Sequence, residues 1–311
     1  MAATKHIVVI GSSNTDMIIR VPRIPAPGET ILGGEFFTAA GGKGANQAVG
    51  AARAGGKVKF VARVGSDMFG ERAVAALKSD GIDVRGVLRD RHAASGAALI
   101  FVARNGENSI AVAGGANAKL STTDVRRAAA AISGAASLVM QLETPLASVQ
   151  LAAKLACKAG VPVILNPAPA QPLPRALLEL VAILTPNETE VELLTGIEVK
   201  DPVAAAKACA KLRARGVRTV ILTMGARGAF ISDANGSRLI PGFKVKALDT
   251  TAAGDIFNGA LSVALAEGQP VDEAARFANA AAAISVTRLG AQPSAPQRAE
   301  IGRFLRQNRL A

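Results

Sequence analysis

From residue 58 onward the chain alternates short β-type runs with longer helical runs. Strands that follow one another through a helix run parallel, because a parallel pair needs a crossover of about a dozen residues or more. The alternation therefore predicts a central, mainly parallel sheet with helices on both faces. The predicted strands lie at 6–10, 58–64, 137–142, 161–165, 183–184 and 219–223, and the predicted helices at 47–54, 69–79, 146–159, 188–194, 202–215, 255–267, 271–286 and 295–307.

Length and composition are sufficient for such an α/β fold. With 311 residues, of which 50% are apolar, the chain can bury the core of one large domain. No internal repeat, charge block or long linker divides it. We therefore expect a single domain over residues 1–311, with a hairpin around Asn235-Gly236 near its carboxyl-terminal end.

Two segments interrupt the alternation and predict an inserted lid. β-type runs lie at 17–21, 30–37, 96–103 and 108–113, with turn signals such as Asn105-Gly106 between them and no helix between paired strands. They predict a small antiparallel sheet formed by segments at about 16–38 and 96–113. Such a lid can exclude water from a reaction, and its apolar face could also pair with another subunit.

The formal net charge of +12 raises the hypothesis of nucleic-acid binding. However, the basic residues are scattered through every segment, Trp and Tyr are absent, and only ten Phe residues could stack on bases. We therefore expect no nucleic-acid partner. The charge could help to attract anionic nucleotides, although a solvated basic surface is the simpler interpretation.

The cellular compartment is predicted from what the sequence lacks. Only the short apolar run 7–10 follows the amino-terminal residues, so neither a signal peptide nor a membrane span is expected. Cys157 and Cys209 form no CxxC pair and lie in helical patterns, which favours small, buried, reduced thiols. We therefore expect a cytoplasmic protein without membrane contact.

The stretch Asp249-Thr-Thr-Ala-Ala-Gly-Asp255, which leads into an apolar helical run, has the features of an anion site. The first amides of a helix have no partner within it, and the small residues Ala252, Ala253 and Gly254 leave them open. Asp255 could take a proton from a hydroxyl while these amides hold the charge of a phosphoryl group. The alternative is that Asp255 only caps the helix.

A second glycine-rich turn, Gly41-Gly-Lys-Gly-Ala-Asn46, precedes the predicted helix 47–54. It is not a Walker loop, because Lys43 is not followed by Ser or Thr and position 37, where that loop needs glycine, is Phe. No strand-linked GxGxxG is present either. Lys43 and Asn46 would suit a neutral sugar near a transferring phosphate, and a plain helix-opening turn is the alternative.

Polar residues follow several predicted strands, at the edge where open α/β sheets bind ligands. Asn14 and Asp16 follow the first strand and are candidates for contact with a polyhydroxyl substrate, with a simple turn as the alternative. Glu143 follows the strand 137–142 in the same way. Any one of these residues alone would be a cap or a solvated turn, but their shared position favours a site.

The strand ends at 183–184 and 219–223 add a possible nucleotide site. Asn187 and Glu190 are three residues apart at a helix start, so both could contact a hydrated Mg²⁺. Thr223 precedes Gly225 and Gly228, two glycines that would let a nucleotide lie close to the backbone.

Taken together, these motifs resemble the ribokinase-like (PfkB) family of carbohydrate and nucleoside kinases over nearly the whole chain. The motifs that carry the resemblance are the glycine turn with Lys43 and Asn46, Asn166-Pro-Ala-Pro, Thr185-Pro-Asn-Glu-Thr-Glu190, Asp249-Thr with Gly-Asp255, and Ala291-Gln-Pro-Ser294. The resemblance implies a ribokinase-like α/β fold, a β lid that forms a homodimer contact, and ATP-dependent phosphorylation of a sugar hydroxyl.

Roles follow from the resemblance, position by position. It implies a D-ribose site at Asn14, Asp16, Gly42, Lys43, Asn46 and Glu143. It implies that Asp255 activates the 5-hydroxyl and that the amides of Ala252, Ala253 and Gly254 hold the phosphoryl group. It implies an ATP site at Asn187, Thr223, Gly225, Gly228, Gly254 and Asn279, with Mg²⁺ held through water by Asn187 and Glu190. It implies a K⁺ loop, acting largely through main-chain oxygens, at Asp249, Thr251, Ser285, Arg288, Gly290 and Ser294.

Three positions depart from the family pattern. Ile256 stands where Thr is common, Asn279 where His is frequent, and Thr251 where Ile or Val is usual. Asn279 is the departure that would change nucleotide affinity. Two alternatives to a D-ribose kinase stay open: a kinase of deoxyribose, another pentose, a ketohexose or a nucleoside, and a non-catalytic sugar-binding regulator on the same fold.

Overall fold

The computed structural model describes residues 5–32, 34–105 and 107–308. Residues 1–4, 33, 106 and 309–311 lie outside the described residues, so the predicted turn at Asn105-Gly106 and the two ends of the expected domain fall partly outside them.

The core of the molecule is a nine-stranded sheet in the order β13-β12-β11-β10-β9-β8-β1-β4-β5. Its strands are β1 (Ile7–Ile10), β4 (Val58–Gly65), β5 (Asp83–Asp90), β8 (Ser137–Met140), β9 (Val163–Leu165), β10 (Ile183–Leu184), β11 (Thr219–Thr223), β12 (Gly228–Asp233) and β13 (Gly236–Pro241). All pairings from β11 to β5 are parallel, whereas β12 at the other edge pairs antiparallel with both β11 and β13. The predicted fold class is confirmed, although the strand β5 was not expected from the sequence.

Helices cover both faces of this sheet. They are α1 (Lys43–Arg53), α2 (Met68–Ser79), α3 (Thr122–Arg127), α4 (Ala129–Ser133), α5 (Leu146–Lys158), α6 (Arg175–Leu178), α7 (Glu188–Thr195), α8 (Pro202–Arg213), α9 (Ala253–Ala266), α10 (Val271–Ser285) and α11 (Arg298–Gln307). Alternate residues of β1 enter two separate hydrophobic clusters, Val8 and Ile10 on one face and Ile7 and Val9 on the other. The period-two alternation of a fully buried strand thus defines two core layers.

A second sheet forms the lid, in the order β3-β2-β6-β7. Its strands are β2 (Asn14–Val21), β3 (Phe36–Gly41), β6 (Gly96–Ala103) and β7 (Asn108–Ala113). The outer pairs are antiparallel as expected, but the central pair β2-β6 is parallel, because the two strands leave the core in the same direction. Residues 30–32, 34 and 35 are not in a strand, and β3 extends instead to Gly41, while three residues, 11–13, separate β1 from β2.

Helices α1 and α9 pack backbone against backbone. A Cβ added at Gly259 of α9 would lie 2.6 Å from the amide nitrogen of Ala51 and 2.7 Å from the carbonyl oxygen of Gln47. Gly50 of α1 meets the Cα of Ile256 in the same way, at 3.2 Å. This close approach places the first turns of both helices side by side at the carboxyl edge of the sheet.

The structure bears on two expectations from the sequence, the burial of the two thiols and the absence of a membrane span. Cys209 is buried, and burial raises the pKa of its thiol to about 12. Cys157, in contrast, is exposed, because it falls on the outer face of α5, so the expectation that both thiols are buried was wrong. Among the described residues, no helix is both long enough and apolar enough to cross a membrane.

Candidate active site

Asp255 lies in the first turn of α9 and does not cap it. The residue at the N-cap position is Ala252, which has φ of 60° and makes no side-chain capping bond. The carboxylate of Asp255 accepts one hydrogen bond on each oxygen, from Asn46 Nδ2 at 3.0 Å and from Gln47 Nε2 at 3.0 Å. Asp255 is only 6% exposed, so its carboxylate is a buried, oriented group beside the helix end.

The amides at the start of α9 form an open donor set. Within the described residues, the N–H groups of Ala252, Gly254 and Asp255 have no hydrogen-bond partner. The amide of Ala253 differs, because it donates to the carbonyl of Thr250 at 3.2 Å. A Cβ added at Gly254 would meet no atom within 4 Å, so the space above these amides is open to an anion.

Asn14 and Asp16 lie on β2, two residues apart, and therefore on the same face of the lid sheet. A simple turn was the alternative for both residues, but β2 starts at Asn14 itself, which pairs with Gly41 of β3. A Cβ at Gly41 would lie 2.3 Å from Asp16 Oδ2, and one at Gly42 would lie 2.6 Å from the Asn14 amide nitrogen. Positions 41 and 42 therefore require glycine, because β2 passes too close to them for a side chain.

Lys43 and Glu143 lie against this turn. Lys43 is the first residue of α1, which begins four residues earlier than predicted, and its amide donates to Glu143 Oε2 at 3.1 Å. The same carboxylate oxygen accepts from Ser12 Oγ at 2.5 Å. The structure thus brings together the six residues that the resemblance assigned to the sugar: Asn14, Asp16, Gly42, Lys43, Asn46 and Glu143.

Burial and crowding of carboxylates shift the pKa values of the site. Burial, together with the nearby charges of Glu143 and Asp255, raises the pKa of Asp16 to about 6. Burial likewise raises the pKa of Asp255, while Lys43 and the amides of Gln47 and Asn46 act in the opposite direction. For Lys43, burial lowers the pKa, but Asp255, Glu143 and Glu190 outweigh it, so the net pKa is raised and the ammonium is kept charged.

Asn187 and Glu190 form a capping box at the start of α7. Asn187 Oδ1 accepts from the Glu190 amide at 2.8 Å, and Glu190 Oε2 accepts from the Asn187 amide at 2.9 Å. Burial raises the pKa of Glu190, which is 8% exposed. The box leaves Glu190 Oε1 free of hydrogen bonds to the described residues, which fits one water-mediated contact to a metal ion.

The remaining nucleotide candidates lie around β11, β12 and α10. Thr223 ends β11 and forms a bridge with Asn187. Gly225 has φ of 55° and open space above it, and a Cβ at Gly228 would lie 2.2 Å from the carbonyl oxygen of Ile240, so the β12-β13 hairpin itself requires glycine at position 228. Asn279 is buried, and its Nδ2 donates to the same Ile240 carbonyl at 3.1 Å.

The two halves of the expected K⁺ loop are held together by Asp249. Its Oδ1 accepts from the Thr251 amide at 2.9 Å and its Oδ2 from the Gly290 amide at 2.8 Å. Ser285 and Ser294 are buried nearby, each with its hydroxyl bonded to a backbone carbonyl of its own turn. Arg288 Nη2 is paired with Glu300 at 2.5 Å, which leaves only the main chain of Arg288 for an ion.

The oxygen atoms of the site fit Mg²⁺ and K⁺ in different ways. In the part of the chain that the structure describes, no group of three or more His, Cys, Asp or Glu could hold a metal ion. This fits Mg²⁺ that is bound mainly by phosphates and water. Across residues 5–32, 34–105 and 107–308, four carbonyl oxygens of the loop accept no hydrogen bond, which fits a monovalent cation held by main-chain oxygens: those of Asp249, Thr251, Arg288 and Gly290.

Sequence reasoning missed several residues of the site. Gln47 contacts Asp255 directly, Asn117 Nδ2 donates to Asn14 Oδ1 at 2.7 Å, and Gln292 Nε2 donates to Asn46 Oδ1 at 3.3 Å. Asn117 and Gln292 are lone amides among mostly small residues, and Gln47 directly follows Asn46, the amide to which a role was assigned. The only available signal was an amide at a position where the helical period requires an apolar side chain, as for Gln47 in α1.

Fold and site define a sugar phosphotransferase, and comparison with known proteins assigns the class. The model of the pfkB family of carbohydrate kinases matches residues 4–298. The chain therefore belongs to the PfkB family of carbohydrate kinases.

Individual relatives show which sugar kinases of the family the chain is similar to. The chain is similar to a ribokinase of Haemophilus influenzae, 51% identical over 97% of this chain and 98% of the relative. The structure of Arabidopsis thaliana ribokinase complexed with ribose and ATP superposes with a TM-score of 0.91, at 35% identity over 97% of this chain and 99% of that one. A deoxyribokinase of Salmonella typhi is 38% identical over 97% and 99%.

Proposed function

We propose that this protein transfers the γ-phosphoryl group of ATP to the 5-hydroxyl of D-ribose, giving ribose 5-phosphate and ADP. The observation that carries the proposal is the buried Asp255 carboxylate, fixed on both oxygens, beside the open amides that begin α9. The ribokinases among the relatives, one of them bound to ribose and ATP, support ribose as the acceptor.

The sugar lies, in this proposal, between the lid and α1. Asn14 and Asp16 on β2 and Glu143 after β8 supply acceptors for sugar hydroxyls, and Asn46 supplies an amide beside Asp255. Lys43 offsets part of the negative charge of Asp255, Glu143 and Glu190. Closing the lid over these groups would exclude water from the transferring phosphate.

Asp255 accepts the proton of the 5-hydroxyl as that oxygen attacks the γ-phosphorus and the bond to the β-phosphate oxygen breaks. The pKa of Asp255, raised by burial, brings the carboxylate closer to the basicity that proton transfer at neutral pH requires. The open N–H groups of Ala252, Gly254 and Asp255 stabilise the charge on the transferring group.

Asn187 and Glu190 would both hold Mg²⁺ through water, near the bridge between Asn187 and Thr223. When bound with ATP, Mg²⁺ neutralises charge on the β- and γ-phosphates. Thr223, Gly225 and the backbone held by Asn279 would form the adenine-nucleotide wall.

Asp249 and its loop would hold K⁺ beside the start of α9. The carbonyl oxygens described above supply the ligands, and the ion would keep the turn before Ala252 in its open form without contacting substrate. Activity in potassium chloride is expected to exceed activity in tetramethylammonium chloride at equal ionic strength, and equal activity in the two salts would reject the K⁺ proposal.

The lid supports a homodimer. Phe37, Ile18, Ile100 and Ile110 lie opposite one another across the four strands and form one apolar row on the face that begins with Asp16. Phe37 is 41% exposed and Ile110 is 55% exposed. Such a row in contact with water favours burial against a second lid.

Ultracentrifugation of Ile110→Lys tests this interface. The variant is expected to sediment as a monomer, whereas Leu239→Lys, at an exposed position on β13 of the central sheet, is expected to leave the dimer intact. A dimer that persists unchanged in Ile110→Lys contradicts the lid interface.

A coupled assay of ADP release over a panel of sugars tests the function itself. D-ribose is expected to give the highest kcat/KM, above 2-deoxyribose, other pentoses, fructose and adenosine. A higher value for 2-deoxyribose would instead assign the activity named for the Salmonella relative. If no sugar of the panel supports ATP consumption, the non-catalytic sugar-binding regulator would be the remaining alternative. The cytoplasmic location expected from the sequence stays a prediction.

A further inference from the structure

We propose that Gln47 is a positioning residue: its buried amide, together with the polar side chains behind it, holds the Asp255 carboxylate and the adjoining peptide of α9 in their reactive arrangement. The inference rests on the proposed function, in which Asp255 is the base. Gln47 is not one of the residues assigned above to the sugar, the nucleotide or an ion.

Every polar atom of the Gln47 side chain is engaged. Its Nε2 donates to Asp255 Oδ1 at 3.0 Å and to Asn166 Oδ1 at 3.2 Å, and its Oε1 accepts from Gln141 Nε2 at 2.5 Å. Gln47 is completely buried, at 0% exposure. An amide held from three sides without access to water cannot rotate without losing buried hydrogen bonds, so it fixes the atom to which it donates.

The hydrogen-bond chain behind Gln47 continues through two more side chains. Asn166 Nδ2 donates to the Thr185 carbonyl at 3.0 Å, and Thr185 Oγ1 donates to Asn258 Oδ1 at 2.7 Å. Asn166 and Thr185 belong to two motifs, Asn166-Pro-Ala-Pro and Thr185-Pro-Asn-Glu, of which only the second had a predicted ligand role. The chain gives the first of these motifs a function inside the protein.

The chain closes on the anion site. Asn258 Nδ2 donates to the Gly254 carbonyl at 2.8 Å. That carbonyl and the Asp255 amide belong to one planar peptide, so fixing the oxygen also aims the N–H. The base and one donor of the anion site are therefore set by the two ends of the same buried hydrogen-bond chain.

Asn46 completes the arrangement from the other side, because its Nδ2 donates to Asp255 Oδ2 at 3.0 Å. With one amide on each oxygen, the carboxylate plane is fixed. Loss of the Gln47 amide would free one oxygen and let the plane turn. Small departures of a base from its proton-transfer geometry reduce the rate strongly, while substrate binding through other groups persists.

The charged groups that face Asp255 come from four elements or their ends. They are Lys43 at the start of α1, Asp16 on β2, Glu143 after β8 and Glu190 on α7. Burial raises the pKa of Asp255, and the Gln47 and Asn46 amides partly oppose this effect. Removing the Gln47 donor leaves the four charges in place, so the pKa of Asp255 is expected to rise further.

Gln47→Met tests the inference, since methionine keeps the length of the side chain and removes the amide. We expect kcat to fall about tenfold to hundredfold, with KM for ribose and MgATP within about twofold of wild type, and the acid limb of the kcat–pH profile to move to higher pH. Gln171→Met makes the same change at a partly buried amide that donates to the Leu142 carbonyl, and should leave all three quantities unchanged.

A purely structural role for Gln47 would lower the melting temperature without moving the acid limb, and that result overturns the inference. So does a kcat within about twofold of wild type in folded protein. Asn166→Leu removes the next link and is expected to show the same split between kcat and KM with a smaller loss. It also serves as the test if Gln47→Met does not fold.

A readout that needs no ribose separates this inference from the proposed function. Titration of ¹³C-labelled aspartate carboxyls by NMR, with the Asp255 signal assigned by its loss in Asp255→Asn, gives the pKa of Asp255 directly. A higher pKa in Gln47→Met than in wild type supports the hydrogen-bond chain even if wild type phosphorylates no sugar of the panel. An unchanged pKa rejects it even if wild type proves to be an active ribose kinase.

Discussion

The catalytic centre and the outer part of the lid reverse the usual distribution of polar and apolar groups. In the centre, the amide of Gln47 and the carboxylate of Asp255 are buried, at 0% and 6% exposure, and both are hydrogen-bonded. In the lid, Phe36 and Ile110 are exposed, at 65% and 55%. Burial of polar groups is unfavourable in the centre, and exposure of apolar groups to water is unfavourable in the lid.

This difference shows which region has its interaction partners within the described residues and which region lacks them. Asn46 and Gln47 each donate to one oxygen of the Asp255 carboxylate, so the geometry of that group is preorganised before any ligand binds. The apolar residues of the lid have no such partners within the described residues, so the lid gains most from a second subunit or from closure. Substitutions in the centre should therefore affect turnover and folding, and those in the lid should affect assembly.

The largest effect expected in the centre is that of Asp255→Asn. Loss of a general base reduces the rate by about 10²- to 10⁴-fold, and we expect kcat to fall within that range with little change in folding. The measurement is steady-state phosphorylation of ribose. Asp201→Asn, which keeps a good N-cap on α8, is the matched control and should retain full activity. Turnover of Asp255→Asn within about tenfold of wild type would remove Asp255 from the reaction.

The next effect sharpens the distinction between a rigid centre and a peripheral helix. A methyl group at Gly259 would lie 2.6 Å from the Ala51 amide nitrogen, so Gly259→Ala should push α9 away from α1 and destabilise the fold by about 1–3 kcal/mol. Gly302→Ala on α11 meets only the end of the Arg306 side chain and should be neutral or stabilising. Urea unfolding curves of the two variants compare the sites, and equal midpoints would show that the helix contact is not tight.

Asp16 lies where the centre joins the lid and should make ribose binding depend on pH. Its pKa is raised to about 6, so the carboxylate is ionised above that pH and becomes protonated below it. Protonation removes acceptor capacity for sugar hydroxyls, and KM for ribose is expected to rise about tenfold from pH 7 to about pH 5. Asp16→Asn should bind more weakly at pH 7 with a flatter profile. A flat wild-type profile would place Asp16 outside the sugar site.

The smallest effect concerns the turn before α9. Ala252 has φ of 60°, a left-handed conformation that costs an L-residue about 1–2 kcal/mol and glycine much less. Ala252→Gly should therefore raise stability by up to about 1 kcal/mol after its greater chain entropy is counted. Ala253→Gly, at a helical position, should give no gain. A lower melting temperature for Ala252→Gly than for wild type would show that the left-handed conformation of Ala252 does not destabilise the protein.

The parallel sheet and its covering helices could be predicted because their signals are local. Buried strands such as β1 and helices such as α5 carry their period within a few residues. The strand β5 was missed because its residues Asp83, Arg85, Arg89 and Asp90 interrupt any apolar run. The parallel pairing of β2 with β6 could not be foreseen either, since it joins segments about 80 residues apart through connections that have no local signature.

The site divides in the same way. Residues in recognisable turns, such as Lys43 and Asp255, could be singled out from the sequence and the family resemblance. Gln47 could not, because its partner Asp255 is 208 residues away and a glutamine in a helix has no motif of its own. For Gly228 the sequence could not indicate the Ile240 carbonyl, which excludes a side chain at that position.

β2 leaves the core at Asn14, directly after the short connection 11–13, so a rigid swing of the lid would turn about the start of β2. At a rise of about 3.3 Å per residue, Asp16 lies roughly 7 Å from the start of β2 and Val21 roughly 23 Å from it. A rigid swing that moves the far end of β2 by some distance therefore moves Asp16 by about a third of it. The far end of β2 would therefore move about three times as far as Asp16, the residue proposed to contact the sugar.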